Sequence, residues 1–255
     1  MKKYKLHFIA LAVVLVAELI GKHTFDIGIG TIVLLPMLFA LVIGVLTTPK
    51  FLNISKEKEM AEAGRLISIT LMLLMAKYGT TIGPTIDTVI KSSPALILQE
   101  FGNLGTVFLG VPLGLLLGLN REVIGGAHSI SREPNVALIA EKYGLDSPEG
   151  EGVLGVYIVG TVFGTIFMGI IASLLATSTP LHPLSLAMAS GVGSASMMTA
   201  SVGSLVELYP EIADKLTAFG AASNLLSGLD GVYMSVFLAI PLAEKLYASL
   251  KKKGK

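Results

Sequence analysis

The most constraining feature of this sequence is a series of apolar stretches, each about as long as a bilayer is thick. A hydrocarbon core of about 30 Å takes roughly 20 apolar residues in an α-helix. Such stretches recur near residues 6–21, 28–48, 62–82, 94–119, 152–175 and 213–246. In lipid a backbone has to satisfy its own hydrogen bonds, and runs of this length do so as helices. The expected fold is therefore an all-α polytopic membrane protein with about six full spans, a single membrane domain. Only 15% of the 255 residues are charged, against about 25% in soluble domains, and the mean hydropathy is +0.75. A net charge of +1 offers no basic surface for nucleic acid. The absence of cysteine removes disulfides, thiolate catalysis and Cys-ligated metals, and His7, His23, His128 and His182 lack metal-ligand spacing. No cofactor is expected beyond a coupling ion.

The first run, Leu6 to Ile20 after Met1-Lys-Lys-Tyr-Lys, superficially resembles a secretory signal. No small-x-small site ends it, and Glu18 and Lys22-His23 follow, so it is expected to persist as a span. Basic residues of short loops face the cytoplasm. The clusters Lys2/Lys3/Lys5, Lys50/Lys56/Lys58/Arg65 and Lys251/Lys252/Lys253/Lys255 place both termini there, in the inner (cell) membrane. That requires an even number of crossings.

Two segments, 121–144 and 184–210, are long enough to enter the membrane but too polar or small for ordinary spans. Six crossings result if each is a re-entrant hairpin, eight if each traverses as a broken helix. The uncharged linker 177–183 is outside in the first case and cytoplasmic in the second. An ungapped match at an offset of 66 relates the two segments: Gly125 falls on Gly191, Val136 on Val202, Glu141 on Glu207 and Tyr143 on Tyr209. Hairpins would make the repeats inverted, a common transporter plan, and inversion is the expectation. Residues 1–120 would then supply scaffold spans, and 121–255 a substrate-carrying unit with repeats at 121–175 and 184–248.

Irregular backbone at membrane depth is tolerated where protein or a water-filled cavity satisfies it. The first interruption offers His128, Ser129, Ser131, Arg132, Glu133 and Asn135; the second offers Ser194, Ser196 and Thr199 among glycines. Arg132 matches a carboxylate bidentately, with pairing to Glu133 or an interfacial position as the alternative. His128 has the chemistry of a proton carrier or of a plain hydrogen-bonded side chain. On the last apolar helix Ser223, Ser227 and Asp230 share a face by their spacing, next to Asn224. An aspartate within an apolar helix is expected to face a cavity, which makes Asp230 the candidate for ion coupling, with Ser227 and Glu133. Gln99, Glu100 and Asn103 open span four and are either interfacial or line the same cavity. Tyr157, Thr161 and Thr165 are a weaker set on 152–175. Lys77 and Glu18 are expected to snorkel near span ends. Gly110, Gly114 and Gly118 serve helix packing within the chain or a homodimer face. No nucleotide loop and no zinc- or serine-protease motif is present, which argues against an enzyme.

The second half resembles the LrgB/CidB-like membrane proteins, named as antiholin or murein-hydrolase regulators and including a plastid glycolate/glycerate translocator. The resemblance rests on Arg132-Glu-Pro-Asn-Val136-Ala-Leu-Ile-Ala-Glu141-Lys-Tyr-Gly144, and on Gly191-Val-Gly-Ser194-Ala through Glu207 with the helix bearing Asn224. It covers roughly residues 94–245. That family often has a His in its second unit, where this chain has Gly193-Ser194. The chain also looks like an uncharacterised family of bacterial multi-pass membrane proteins. In general plan it is similar to sodium/glutamate symporters, ketodeoxygluconate permeases and lysine exporters. These resemblances imply secondary transport of a small organic acid or amino acid.

The expected function is accordingly an elevator-like secondary active transporter of a small organic anion or amino acid, coupled to Na⁺ or H⁺. The substrate set is His128, Ser129, Ser131, Arg132, Asn135, Ser194, Ser196, Thr199 and Asn224. The rival is a non-transporting regulatory or structural membrane protein of antiholin type.

Overall fold

A computed structural model describes residues 4–127 and 133–253. Helix α1 (Lys5–Ile20) stops at Gly21, whose φ of 76° suits a residue without Cβ. A two-stranded antiparallel hairpin follows, β1 (His23–Asp26) and β2 (Thr31–Leu34), with His23 opposite Leu34 and Asp26 opposite Thr31. Then comes α2 (Pro36–Leu46), only 11 residues long. The stretch 28–48 is thus not one continuous helix but strand β2 followed by helix α2, and apart from this hairpin the described residues are all-α, as expected. Gly28 takes φ of 80° in the hairpin loop, the β-branched Thr31, Ile32 and Val33 favour the strand, and Pro36 can begin a helix but not continue one. The strand amides are satisfied from outside the hairpin. Thr31 N donates to Thr177 Oγ1 at 2.8 Å and Val33 N to Ser173 Oγ at 3.2 Å, two hydroxyls one turn apart on a later helix.

Helix α3 (Glu57–Lys91) runs well past the expected 62–82. At its start Glu59 Oε2 accepts from Lys56 N at 2.8 Å and pairs with Lys5 Nζ at 3.2 Å. That backbone amide, with Lys5 beside it, holds the Glu59 carboxyl below its ordinary range. Lys77, expected near a span end, lies well inside α3 and is exposed. Helix α4 (Ser93–Glu100), a 3-10 turn (Phe101–Leu104) and α5 (Gly105–Leu116) form one rod. The short α6 (Glu122–Ala127) and α7 (Glu133–Tyr143) follow, and Gly144 ends α7 at φ of 87°. Ser147 caps α8 (Pro148–Val159) by accepting from Gly150 N at 3.0 Å, and a π-helical turn (Gly160–Gly164) leads into α9 (Thr165–Ser178). After α10 (Pro183–Ser190) and α11 (Ala195–Leu208), α12 (Ala213–Met234) passes through a second π-helical turn (Ser235–Ala239) into α13 (Ile240–Lys253). Pro241 lacks an amide to give back to the preceding turn, which accounts for the irregularity there.

Among the described residues three helices are long and apolar enough to cross a membrane: Ser93–Leu116, Pro148–Ser178 and Pro210–Lys251. They match three of the six expected spans. The other three expected spans fall in the first half, on α1 with 16 residues, on the stretch holding the 11-residue α2, and on α3, whose 35 residues are long enough to cross. Large apolar side chains such as Leu109, Leu116, Phe163, Leu229 and Phe237 stand exposed along the three rods. A surface of that kind suits lipid contact.

The order of elements in the second half occurs twice: two short helices, then a long helix with a π-helical turn. In each set a glycine lets the first short helix touch the long helix that follows. A Cβ on Gly125 would fall 1.8 Å from the Glu149 carbonyl oxygen, and one on Gly191 would fall 2.3 Å from Ser223 Oγ. The arms α10 and α11 lie side by side. Gly220 of α12 meets both Val202 Cγ2 and the Ala187 carbonyl, at 2.5 and 3.4 Å from its Cβ position. In one straight helix, 15 residues apart, Ala187 and Val202 would be about 22 Å apart.

Gly110 and Gly114 of α5 are occupied within the chain, packing on Ala127 and Val123 of α6. Gly118, at φ of 87°, belongs to the turn after α5 rather than to a third packing step.

Candidate functional site

The polar face of α12 meets the end of α4. Ser227 Oγ donates to Glu100 Oε1 at 2.6 Å, Gln99 Nε2 donates to the same oxygen at 2.8 Å, and Asn103 Nδ2 donates to Glu100 Oε2 at 2.8 Å. Gln99 Nε2 also reaches Ser223 Oγ at 2.5 Å, and Ser223 in turn donates to the Met188 carbonyl at 2.7 Å. The Asp230 carboxyl lies near enough to Glu100 for the two charges to repel. Glu100 is only 3% exposed. None of the ion pairs among the described residues involves either carboxyl. Two oxygens here, Gln99 Oε1 and Asp230 Oδ1, are buried and accept no hydrogen bond. A bare buried acceptor costs about 1–3 kcal/mol.

Asn224 holds the break between α10 and α11, its Nδ2 donating to the carbonyls of Gly191 at 3.0 Å and Gly193 at 2.9 Å. Ser194 caps α11, accepting from Met197 N at 3.4 Å, and lies 3.0 Å from Ser196 Oγ. Ser196 reaches Thr165 Oγ1 of α9 at 3.1 Å, and Thr199 meets Tyr78 OH of α3 at 2.5 Å. Asn135, 6% exposed, accepts from Ser235 Oγ at 3.1 Å.

The expected residues therefore divide. Ser227 and Asp230 converge with Glu100, and Asn224 shapes the adjacent break. Ser194 caps α11 and meets Ser196, Ser196 and Thr199 engage α9 and α3, and Asn135 engages the second π-helical turn. His128, Ser129, Ser131, Arg132 and the side chain of Glu133 lie outside the described residues. Of the weaker set, Thr165 joins Ser196, while Thr161 donates to its own helix at the Tyr157 carbonyl.

Two pairs of positions matched by the offset of 66 each make contacts across the two element sets, although their partners are not themselves at that offset. Tyr143 OH of the first donates to Glu244 on α13 at 2.8 Å, and its counterpart Tyr209 donates to the Ala176 carbonyl on α9 at 3.0 Å. Position 135 maps on 201: Asn135 meets Ser235 on the second long helix, and Ser201 Oγ donates to the Met168 carbonyl on the first at 3.0 Å.

A second charged cluster sits on α13. Arg121 Nε donates to Glu149 Oε1 at 2.5 Å and its guanidinium to Glu244 Oε1 at 3.1 Å, while stacking 5.7 Å over the Tyr247 ring. Lys251 Nζ joins through Tyr247 OH at 2.8 Å and Asn120 Oδ1 at 3.1 Å. Sequence reasoning missed this cluster, whose partners lie 28 and 123 residues from Arg121. Among the described residues no group of three or more His, Asp or Glu could hold a metal ion. The carboxyl pair with its amides and hydroxyls offers oxygen ligands only, the donor set that hard cations take.

Residues 15–249 match the family described as Protein of unknown function (DUF3100), and the chain belongs to that family. No curated protein and no solved structure matches the chain.

Proposed function

For this DUF3100 chain we propose secondary active transport of a small organic anion or amino acid, coupled to Na⁺ or H⁺. The observation that carries the reading is the exchange of contacts between the two element sets. Tyr143 and Tyr209, matched by the offset, each bond the long helix of the other set. The positions matched as 135 and 201 do the same. Such reciprocity is what two units related by a two-fold axis produce. It supports reading 121–175 and 184–248 as repeats of one device.

The folding back of α10 on α11 supports a re-entrant hairpin. With one long helix, α8 to α9, between the hairpins, the second enters from the opposite face and the repeats are inverted. The hairpin breaks then meet near the midplane, where inverted-repeat transporters hold their substrates. Arg132 at the first break is assigned to the carboxylate of the substrate, and Asp230 to the coupling ion. Residues 1–120 form the scaffold against which the repeat unit moves in an elevator-like way. Both termini are cytoplasmic in the inner membrane. The resemblance to LrgB/CidB-like proteins and to organic-acid permeases points to the same solute class.

Uptake into proteoliposomes tests the proposal. Radiolabelled small carboxylates and amino acids are offered under imposed Na⁺ and H⁺ gradients. Gradient-dependent accumulation of at least one, lost in Arg132→Ala and Asp230→Ala, is expected. Correctly inserted protein that moves none of them under either gradient would leave the regulatory or structural role of antiholin type as the better account.

A further inference from the structure

We propose that Glu100 and Asp230, with Gln99 Oε1 and Ser227 Oγ, form a sodium site between α4 and α12. It deepens the transport reading and rests on it for its purpose, since a bound ion only drives flux if flux occurs. Sequence spacing singled out Asp230 and Ser227; Glu100 and Gln99 come from the packing of α4 on α12.

The argument begins with what the pair lacks. Two carboxyls lie close together, Glu100 only 3% exposed and Asp230 partly buried, and no basic side chain pairs with either among the described residues. Neutral donors to Glu100 leave two negative charges that repel and have lost part of their hydration, so the pair calls for a cation between or beside them. The second observation is independent of the charges. Gln99 Oε1 and Asp230 Oδ1 are buried acceptors without a donor. The amide cannot be turned round to cure this, because Gln99 Nε2 is the group that donates to Glu100 Oε1 and Ser223 Oγ. Reversal would press a carbonyl oxygen against a carboxylate.

A proton shared by the carboxyls would relieve their repulsion but leave Gln99 Oε1 without a partner. A coordinated cation draws on several oxygens at once and satisfies both orphans. Every candidate ligand is oxygen, from carboxylates, an amide and a hydroxyl, which suits a hard ion and not a thiophilic or imidazole-seeking metal. The C-terminal end of α10 adds to the negative potential. Its last carbonyls, Met188 and Gly191, are held toward α12 by Ser223 and Asn224. Broken-helix ends of this kind coordinate Na⁺ in transporters. With two carboxylates and one ion the site keeps a single negative charge, against which a conformational step can be gated.

The test is ion-dependent thermal stability of the purified full chain in detergent, which needs no substrate and no flux. Melting is followed with NaCl, and with KCl, LiCl, CaCl₂ and choline chloride at matched ionic strength, at several pH values. A saturable rise with Na⁺ that choline and K⁺ do not reproduce is expected, together with its loss in Glu100→Gln and Asp230→Asn. Ser227→Ala should weaken it at least threefold in half-saturating Na⁺ while the protein stays monodisperse. No Na⁺ effect, an equal effect of K⁺ or choline, or a response unchanged in Glu100→Gln would overturn the site. Stabilisation by acid alone would give the pair to a proton, and stabilisation by Ca²⁺ alone would give it to a divalent ion; either overturns the sodium assignment. Should the carboxyl variants fail to fold, Gln99→Leu, which removes an orphan acceptor and no charge, decides by the same readout. Na⁺ binding without uptake would defeat the transport reading and leave the site standing, whereas uptake without Na⁺ binding would do the reverse.

Discussion

Two groups of carboxylates sit on the last long helix of this protein, and they are treated in opposite ways. At α13, Glu244 and its neighbour Glu149 are answered by Arg121, with Tyr143, Tyr247 and Lys251 around it. At α12, Asp230 and its neighbour Glu100 are answered by amides and hydroxyls, and two oxygens remain bare. The first group is complete as built and ties α6, α7, α8 and α13 together. The second is complete only with an added cation. A fully paired cluster is a structural joint, and an incompletely paired one at the same depth of burial is where a ligand belongs.

Substitutions can break or sharpen that contrast. The largest effect is expected for Arg121→Met, which leaves Glu149, 4% exposed, without its counter-ion. Removing one partner of a buried pair costs about 3–5 kcal/mol, and because the Arg121 side chain is 42% exposed denaturant or thermal unfolding should show a loss at the low end of that range, independent of Na⁺. A comparably small loss in Glu149→Ala and Arg121→Met would mean the cluster is not a joint. Next come the close approaches. Gly125→Ala meets the Glu149 backbone carbonyl, and Gly191→Ala meets Ser223 Cβ and the Asn224 backbone nitrogen. Overpacking costs typically about 1–3 kcal/mol, and unfolding should put both variants toward the top of that range.

Glu100→Gln should fall lower still, at or below about 1 kcal/mol. The amide oxygen can still accept from Ser227, and one of two mutually repelling charges is removed. A loss as large as that of Arg121→Met would erase the distinction between the two clusters. Effects of similar small size are expected for Tyr143→Phe and Tyr209→Phe. Each removes one hydrogen bond to the opposite long helix, worth about 0.5–1.5 kcal/mol, and Tyr143→Phe should cost the more because its acceptor is the Glu244 carboxylate.

The three longest apolar rods were legible in the sequence because helical length and hydropathy act locally. Residues 94–119, 152–175 and 213–246 correspond closely to 93–116, 148–178 and 210–251. The hairpin before α2 was not. Its strands are held by hydroxyls of Ser173 and Thr177, more than a hundred residues away, and nothing local shows that. The same divide runs through the candidate site. Ser223, Ser227 and Asp230 could be placed on one face by helical spacing alone. That this face would meet Glu100, and that Thr199 would turn to Tyr78, depended on how α12 and α11 pack on α4 and α3. The Gly125/Gly191 match was visible as an offset, and its meaning, close contact with the following helix, appeared only in three dimensions.

The account depends most on the two repeats running in opposite directions, and the side of the membrane reached by linker 177–183 reads that directly. The chain contains no cysteine, so single cysteines at Pro180 and at Lys251 can be labelled in intact cells with an impermeant maleimide. Inverted hairpins predict labelling of Pro180→Cys from outside and protection of Lys251→Cys until the cells are opened. Labelling of both from the same side would mean that 184–210 traverses the membrane, and would contradict the inverted arrangement.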